Sequence, residues 1–204
     1  MHRREFEGAL EEDMPPPLPE GVSHAEVQRP EDGSGPLFRR IYTGAVRDAR
    51  VGAEELIAAV SADPNRVVPK GLARFKKAHG EEGQMRVGDE FRVRMPGPWD
   101  GPVRTVEVTP TSFRFATLAG HLEAGQIEWR AADRDGLLVF QIESRSRAGD
   151  RASAILHDRL LMAKEVQLHM WTSVVERVSR RTGGRLEHGI DIETRRVDGD
   201  AFDQ

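Results

Sequence analysis

The chain has 204 residues, a formal net charge of -4 and no cysteine. That length suffices for one domain with a real core, and the missing thiols exclude disulfides, thiolate metal sites and a cysteine nucleophile. The negative balance argues against a general nucleic-acid binder. No run of about 18 apolar residues is present to span a membrane as a helix. The start, "MHRREFEGALEEDMPPPLPEG", lacks the apolar core of a secretory signal, so a cytoplasmic location is expected.

Residues 1–36 read as a flexible tail. "MPPPLPEG" and "RPEDGSGP" combine proline, glycine and acids with few large apolar residues, a composition that favours an extended, solvated chain. Phe6 and Leu10 would then form one turn of an anchor for a protein partner.

A body is expected over 37–186. "LFRRIYTGAVRDA" is rich enough in β-branched and aromatic residues for a first strand. Leu56, Ile57 and Val60 share a face at helical spacing, and Asp63-Pro64 stops that helix. "LARFKKAHG" predicts a short strand. From Met85 onward period-two alternation dominates: Phe91, Val93 and Met95; Val106 and Val108; Phe113 and Phe115; Ile127 and Trp129; Leu138, Phe140 and Ile142. Short turns rich in glycine and aspartate join these runs, so an antiparallel meander is expected.

Residues 151–182 contain no proline or glycine. Ile155, Leu156, Leu160, Ala163, Met170, Trp171, Val174 and Val178 recur at spacings of three and four, with Asp158, Glu165, Thr172 and Glu176 on the reverse side. That pattern is a long amphipathic helix closed by Gly183-Gly184. Residues 187–204 read as a charged extension with one short strand around Ile190 and Ile192.

One long helix laid across a curved antiparallel sheet buries the sheet's apolar face. This α+β element order resembles the helix-grip fold of the START and polyketide-cyclase-like superfamily. "TSFRFATLAGHLEAGQIEW" further resembles the bacterial and plant family DUF1990, a domain of unknown function. There an aromatic strand runs into a Gly-His turn, then a Gly-Glu pair and a strand opening on an aromatic. The matching positions here are Gly120-His121, Gly125 and Glu128-Trp129, while Gln126 stands where that family usually has an acid. The resemblance implies a helix-grip fold and carries no reaction with it.

His121, Glu123 and Glu128 are the first chemical candidates. The H-x-E spacing is that of zinc deaminases, whose sites also need cysteine ligands that are missing here. Without three converging ligands no metal site is expected; His121 and Glu123 are expected to hydrogen-bond loop backbone. No nucleophile elbow, P-loop or dinucleotide fingerprint occurs, so no catalytic residue or cofactor is assigned. On a helical wheel Arg159, Gln167 and Arg177 fall inside the apolar arc. A polar group there needs a partner, and a ligand in a cavity under the helix would supply one. Phe113, Phe115, Trp129 and Trp171 would line such a cavity, with Trp99 and His121 at its mouth. The expected function is therefore binding of a small hydrophobic molecule in contact with Gln167, Arg159, Trp129, Phe113, Phe115, Trp99, His121 and Trp171. A cyclase- or aromatase-like enzyme using His121, Arg159 and Gln167, and an interaction protein with a filled core, are the alternatives.

Overall fold

The computed structural model describes residues 1–95, 100–149 and 157–202, apart from the side chains of residues 100 and 157–165. In chain order the elements are β1 (His2–Glu7), α1 (Leu10–Asp13), β2 (Ser34–Arg47), α2 (Ala53–Ala62), β3 (Arg74–His79), β4 (Glu90–Arg94), β5 (Asp100–Thr109), β6 (Ser112–Thr117), β7 (Glu123–Arg134), β8 (Leu137–Ala148), α3 (His157–Arg181) and β9 (Arg185–Val197). The strands form one sheet in the order β1-β9-β2-β8-β7-β6-β5-β4-β3. Every neighbouring pair is antiparallel except β1 with β9 at the edge, which is parallel.

Alternation decides which side chains enter the core. On β8, Leu138, Phe140 and Ile142 are buried against α3, while Gln141, Glu143 and Arg145 face the other side of the sheet. On β2 the inward set is Phe38, Arg40, Tyr42, Gly44 and Val46. Gly44 marks a close approach of helix to strand, because a Cβ there would collide with the Val175 side chain. α3 packs on β2, β8 and β9. It ends where expected, with Gly183 in the left-handed region at φ 75° and Gly184 N–H donating to Ser179 O over 3.1 Å. Of the expected helix, 151–156 lies outside the described residues.

The reverse side of α3 differs from the expected polar face. Thr172 is only 6% exposed, and Ser179 and Thr182 are buried with it. Together with the buried Val175 and the half-buried Leu168 these form a second inward stripe at helical spacing. Their hydroxyls are accommodated locally: Thr172 Oγ1 donates to Leu168 O (2.8 Å) and Thr182 Oγ1 to Ser179 O (2.9 Å). The wheel missed this because small residues that satisfy themselves on their own helix can be buried as readily as apolar ones.

The split at residues 36 and 187 does not follow the sheet. β2 already begins at Ser34, and the segment 187–204, expected as an extension with one short strand, supplies most of β9, which sits between β1 and β2. Its register against β2 runs from Leu37 opposite Val197 to Arg47 opposite Arg185. The segment expected as a free tail contributes β1 and then lies on the outer side of the sheet. Its backbone carbonyls accept from arginines and a glutamine of the body: Met14 O from Arg145 Nη1 (2.7 Å), Pro16 O from Gln126 Nε2 (3.0 Å), Ala25 O from Arg104 Nη1 (2.7 Å) and Gly35 O from Arg147 Nε (2.8 Å). Pro-rich chain has no internal hydrogen bonds, so its carbonyls stay available to such donors. Asp13, fully buried, accepts from Ala9 N–H and from Arg39.

Candidate functional site

Four of the sequence candidates converge. Phe113 and Phe115 on β6, Trp129 on β7 and Trp171 on α3 belong to one aromatic cluster with Phe75, Phe91 and Phe140. Trp129 lies 5.3 Å from Phe113 and 5.6 Å from Trp171 between ring centroids, the latter at 85°. Cross-strand pairing puts Phe113 opposite Trp129 and Phe115 opposite Ile127. Edge-to-face geometry adds to the apolar burial of each ring. Trp129 is fully buried, and its indole N–H has no hydrogen-bond partner among the described residues.

Gln167 is half-buried on α3. Its Nε2 donates to Glu123 Oε2 over 2.8 Å, so its partner is the first residue of β7. The Glu123 backbone serves the loop before it: Glu123 N–H donates to His121 Nδ1 over 2.9 Å. Gln28 Nε2 donates to the carbonyls of both His121 and Glu123, each over 3.1 Å. The imidazole packs over Gly101, where a Cβ would lie 2.7 Å from Nε2. Burial lowers the His121 pKa below its ordinary value, although the Glu123 charge and backbone pull the other way. His121 is thus a neutral staple of the loop, bonded to backbone, and is joined to Gln167 only through Glu123. Among the described residues no three histidine or carboxylate side chains converge. Trp99 and the Arg159 side chain lie outside the described residues.

Three residues unassigned in the sequence complete the picture. Tyr42 on β2 is 1% exposed; burial pushes its phenol up to about 12, with Arg40 and Arg3 lowering it and Glu123 raising it. Ser144 and Ser146, both buried, continue the inward face of β8 after Ile142. They pair across β2 with Arg40 and Phe38, and across β7 with Ile127 and Gly125. The inward face of β8 therefore changes from Phe140 and Ile142 to two serines, while on β7 it runs from Trp129 through Ile127 to Gly125. The alternation rule carried two and four residues beyond Ile142 along β8 would have found both serines.

No family model and no curated protein matches the chain; the resemblance to DUF1990 has no match of its own. Among solved structures, the chain is similar to the ginseng (Panax ginseng) major latex-like protein 151. The TM-score is 0.51 at 12% identity, covering 72% of this chain and 97% of that one. It is similar to the di-domain ARO/CYC StfQ from the steffimycin biosynthetic pathway at TM-score 0.51 and 15% identity, covering 72% of this chain and 52% of that one. The chain has the helix-grip fold. A third helix-grip comparison, the solution structure of the KanY protein, gives TM-score 0.51 at 12% identity over 71% of this chain and 96% of that one. At such identities the likeness concerns the fold alone.

Proposed function

We propose that this helix-grip protein binds a small hydrophobic molecule between α3 and the sheet, without catalysis. The observation that carries the reading is the step from large to small side chains along the inward face of β8, from Phe140 and Ile142 to Ser144 and Ser146. Gln167 on α3 reaches this end of the sheet through its hydrogen bond to Glu123, two residues before Gly125, which pairs with Ser146. In this reading the short Ser144 and Ser146 side chains leave room for a ligand beneath the helix. An apolar ligand body there would lie against the Trp129–Trp171 end of the aromatic cluster, gaining about 25 cal/mol for each Å² of apolar surface withdrawn from water. Gln167, Glu123 and the two serine hydroxyls would orient a polar substituent, and a few convergent polar groups in an apolar pocket suit a drug-sized ligand. Membership of DUF1990, on the Gly120-His121, Gly125 and Glu128-Trp129 pattern, and a cytoplasmic setting belong to the same reading.

Native mass spectrometry of the protein purified from the cells that make it tests this reading. A drug-sized molecule is expected to be retained and to be released on unfolding. Ser146→Leu should fold and lose that molecule. A protein that is always empty, and that Ser146→Leu destabilises by overpacking, would instead have a filled interior. The mutual contact of the buried rings favours that second reading, an interaction protein.

A further inference from the structure

Beside α3, on the strands away from the aromatic cluster, the covered face of the sheet holds an open groove of about 600 Å³. Its floor is Tyr42 and Ile192, both buried, with Phe38 and Leu168 half-buried at its sides. None of the clustered rings lines it. The register sets three levels across β1, β9 and β2: Arg3–Ile192–Tyr42, Glu5–Thr194–Arg40 and Glu7–Arg196–Phe38. Arg196 is engaged by Asp198 over 2.7 Å. Arg40 is half-buried, with its guanidinium 4.4 Å from the Phe38 ring centroid, and it has no carboxylate partner among the described residues. Arg3, also without a carboxylate partner among the described residues, rises from the exposed edge strand on the far side of the same floor.

We propose that this groove is a second binding site, for an apolar molecule ending in a single carboxylate. The apolar body lies along Tyr42, Ile192 and Leu168, and the carboxylate sits on Arg40 with Arg3 as the second cation. A guanidinium withdrawn from water without an anion is costly, and its planar fork matches a carboxylate by two parallel hydrogen bonds. Stacking on Phe38 already holds Arg40 in place, so little side-chain freedom is lost on binding. The volume falls within the range of about 300–1,000 Å³ that small ligands occupy. Arg40 and Arg3 both act on the Tyr42 phenol, which marks the point where their fields overlap. Glu5 and Glu7, exposed on the rim, repel additional negative charge and so favour a monoanion over a polyanion. The groove adjoins the interior site, since Leu168 borders both and Arg40 and Phe38 pair with Ser144 and Ser146, but none of the clustered rings lines it.

Octanoate and octanamide are the probes, titrated calorimetrically into the full chain. Octanoate is expected to saturate one site, with octanamide at least tenfold weaker. Arg40→Gln should weaken octanoate at least tenfold and leave octanamide unchanged. Equal affinities for the two probes, no saturable octanoate binding, or an unchanged octanoate affinity in Arg40→Gln would overturn the proposal. Should Arg40→Gln fail to fold, Arg3→Gln on the exposed edge strand and Thr194→Trp, which fills the groove, decide: both should weaken octanoate, and no change in either sinks the site. Ser146→Leu separates the two readings. If it abolishes octanoate binding while Thr194→Trp does not, the ligand lies under α3, the groove proposal fails and the interior one stands.

Discussion

The Gln167 amide donates to the Glu123 carboxylate over 2.8 Å and so ties the middle of α3 to the first residue of β7. A wheel position inside an apolar arc suggested an amide in need of a ligand; the structure supplies a carboxylate from the same chain. Gln167→Leu is therefore expected to destabilise the fold by about 1 kcal/mol, because a half-buried carboxylate loses its donor. A double-mutant cycle with Glu123→Gln, read by urea unfolding, should show coupling between the two positions. A neutral or stabilising Gln167→Leu would mean that the hydrogen bond contributes nothing.

Gly44 has a packing role. It needs no left-handed backbone, but a Cβ there would collide with Val175 and come within 2.9 Å of Leu186 Cδ2. Gly44→Ala should cost about 1–3 kcal/mol through overpacking at the helix–strand contact. Val175→Ala makes room for the new methyl, so the double variant should be more stable than the two single costs added together. Additive losses in thermal unfolding would show that the contact can relax.

Tyr42 is the only tyrosine in the chain, so near-ultraviolet absorbance reads its ionisation alone. Burial is the main cause of a phenol pKa raised to about 12. The folded state holds the proton more tightly than the unfolded one. This contribution to stability is therefore complete below about pH 10 and is lost as pH rises towards 12, on the order of 2–3 kcal/mol at 1.36 kcal/mol per unit. A folded-state midpoint near pH 10 would contradict the buried phenol.

Glu143, 3% exposed, accepts from Arg39 (2.7 Å), Arg145 (2.8 Å) and Arg130 (2.9 Å). Burial alone would raise its pKa, but Arg145, Arg39 and Arg130 outweigh burial and hold it below the ordinary carboxylate value. Its stabilisation is present above the unfolded-state pKa of about 4.3 and is lost as pH falls through the lower folded value. Glu143→Ala should cost about 1.5–3 kcal/mol at neutral pH, because the three guanidiniums lose a shared anion, although Arg39 keeps Asp13 and Arg130 keeps Gln141 and Glu128. The deficit relative to the parent should shrink in urea titrations below about pH 4. A deficit that does not change with pH would mean that packing, and not charge, holds Glu143.

The parts legible in the sequence are those whose cause lies within a few residues. Phe113 and Phe115, Ile127 and Trp129, and Leu138, Phe140 and Ile142 sit on the faces that period two assigns them, because a pleated strand can do nothing else with alternate side chains. Gly183-Gly184 ends α3 for an equally local reason. The convergence of Phe113, Phe115, Trp129 and Trp171 follows once those strands and the helix form one layer on another. The rest depends on partners far away in the chain. Residues 8–35 look solvated because the arginines that bind their carbonyls, Arg104, Arg145 and Arg147, are on β5 and β8. Strand β9 looks short because its length is set by pairing with β2 and β1 on either side. Thr172 looks polar until its hydroxyl is seen bonded to its own helix. Arg40 reads as one more surface charge in "LFRRIYTG" until β9 and β1 close the far wall of the groove. Local sterics fix which way each side chain points, but only long-range strand pairing and helix docking decide what it meets there, and the free energy of a polar group depends on what it meets.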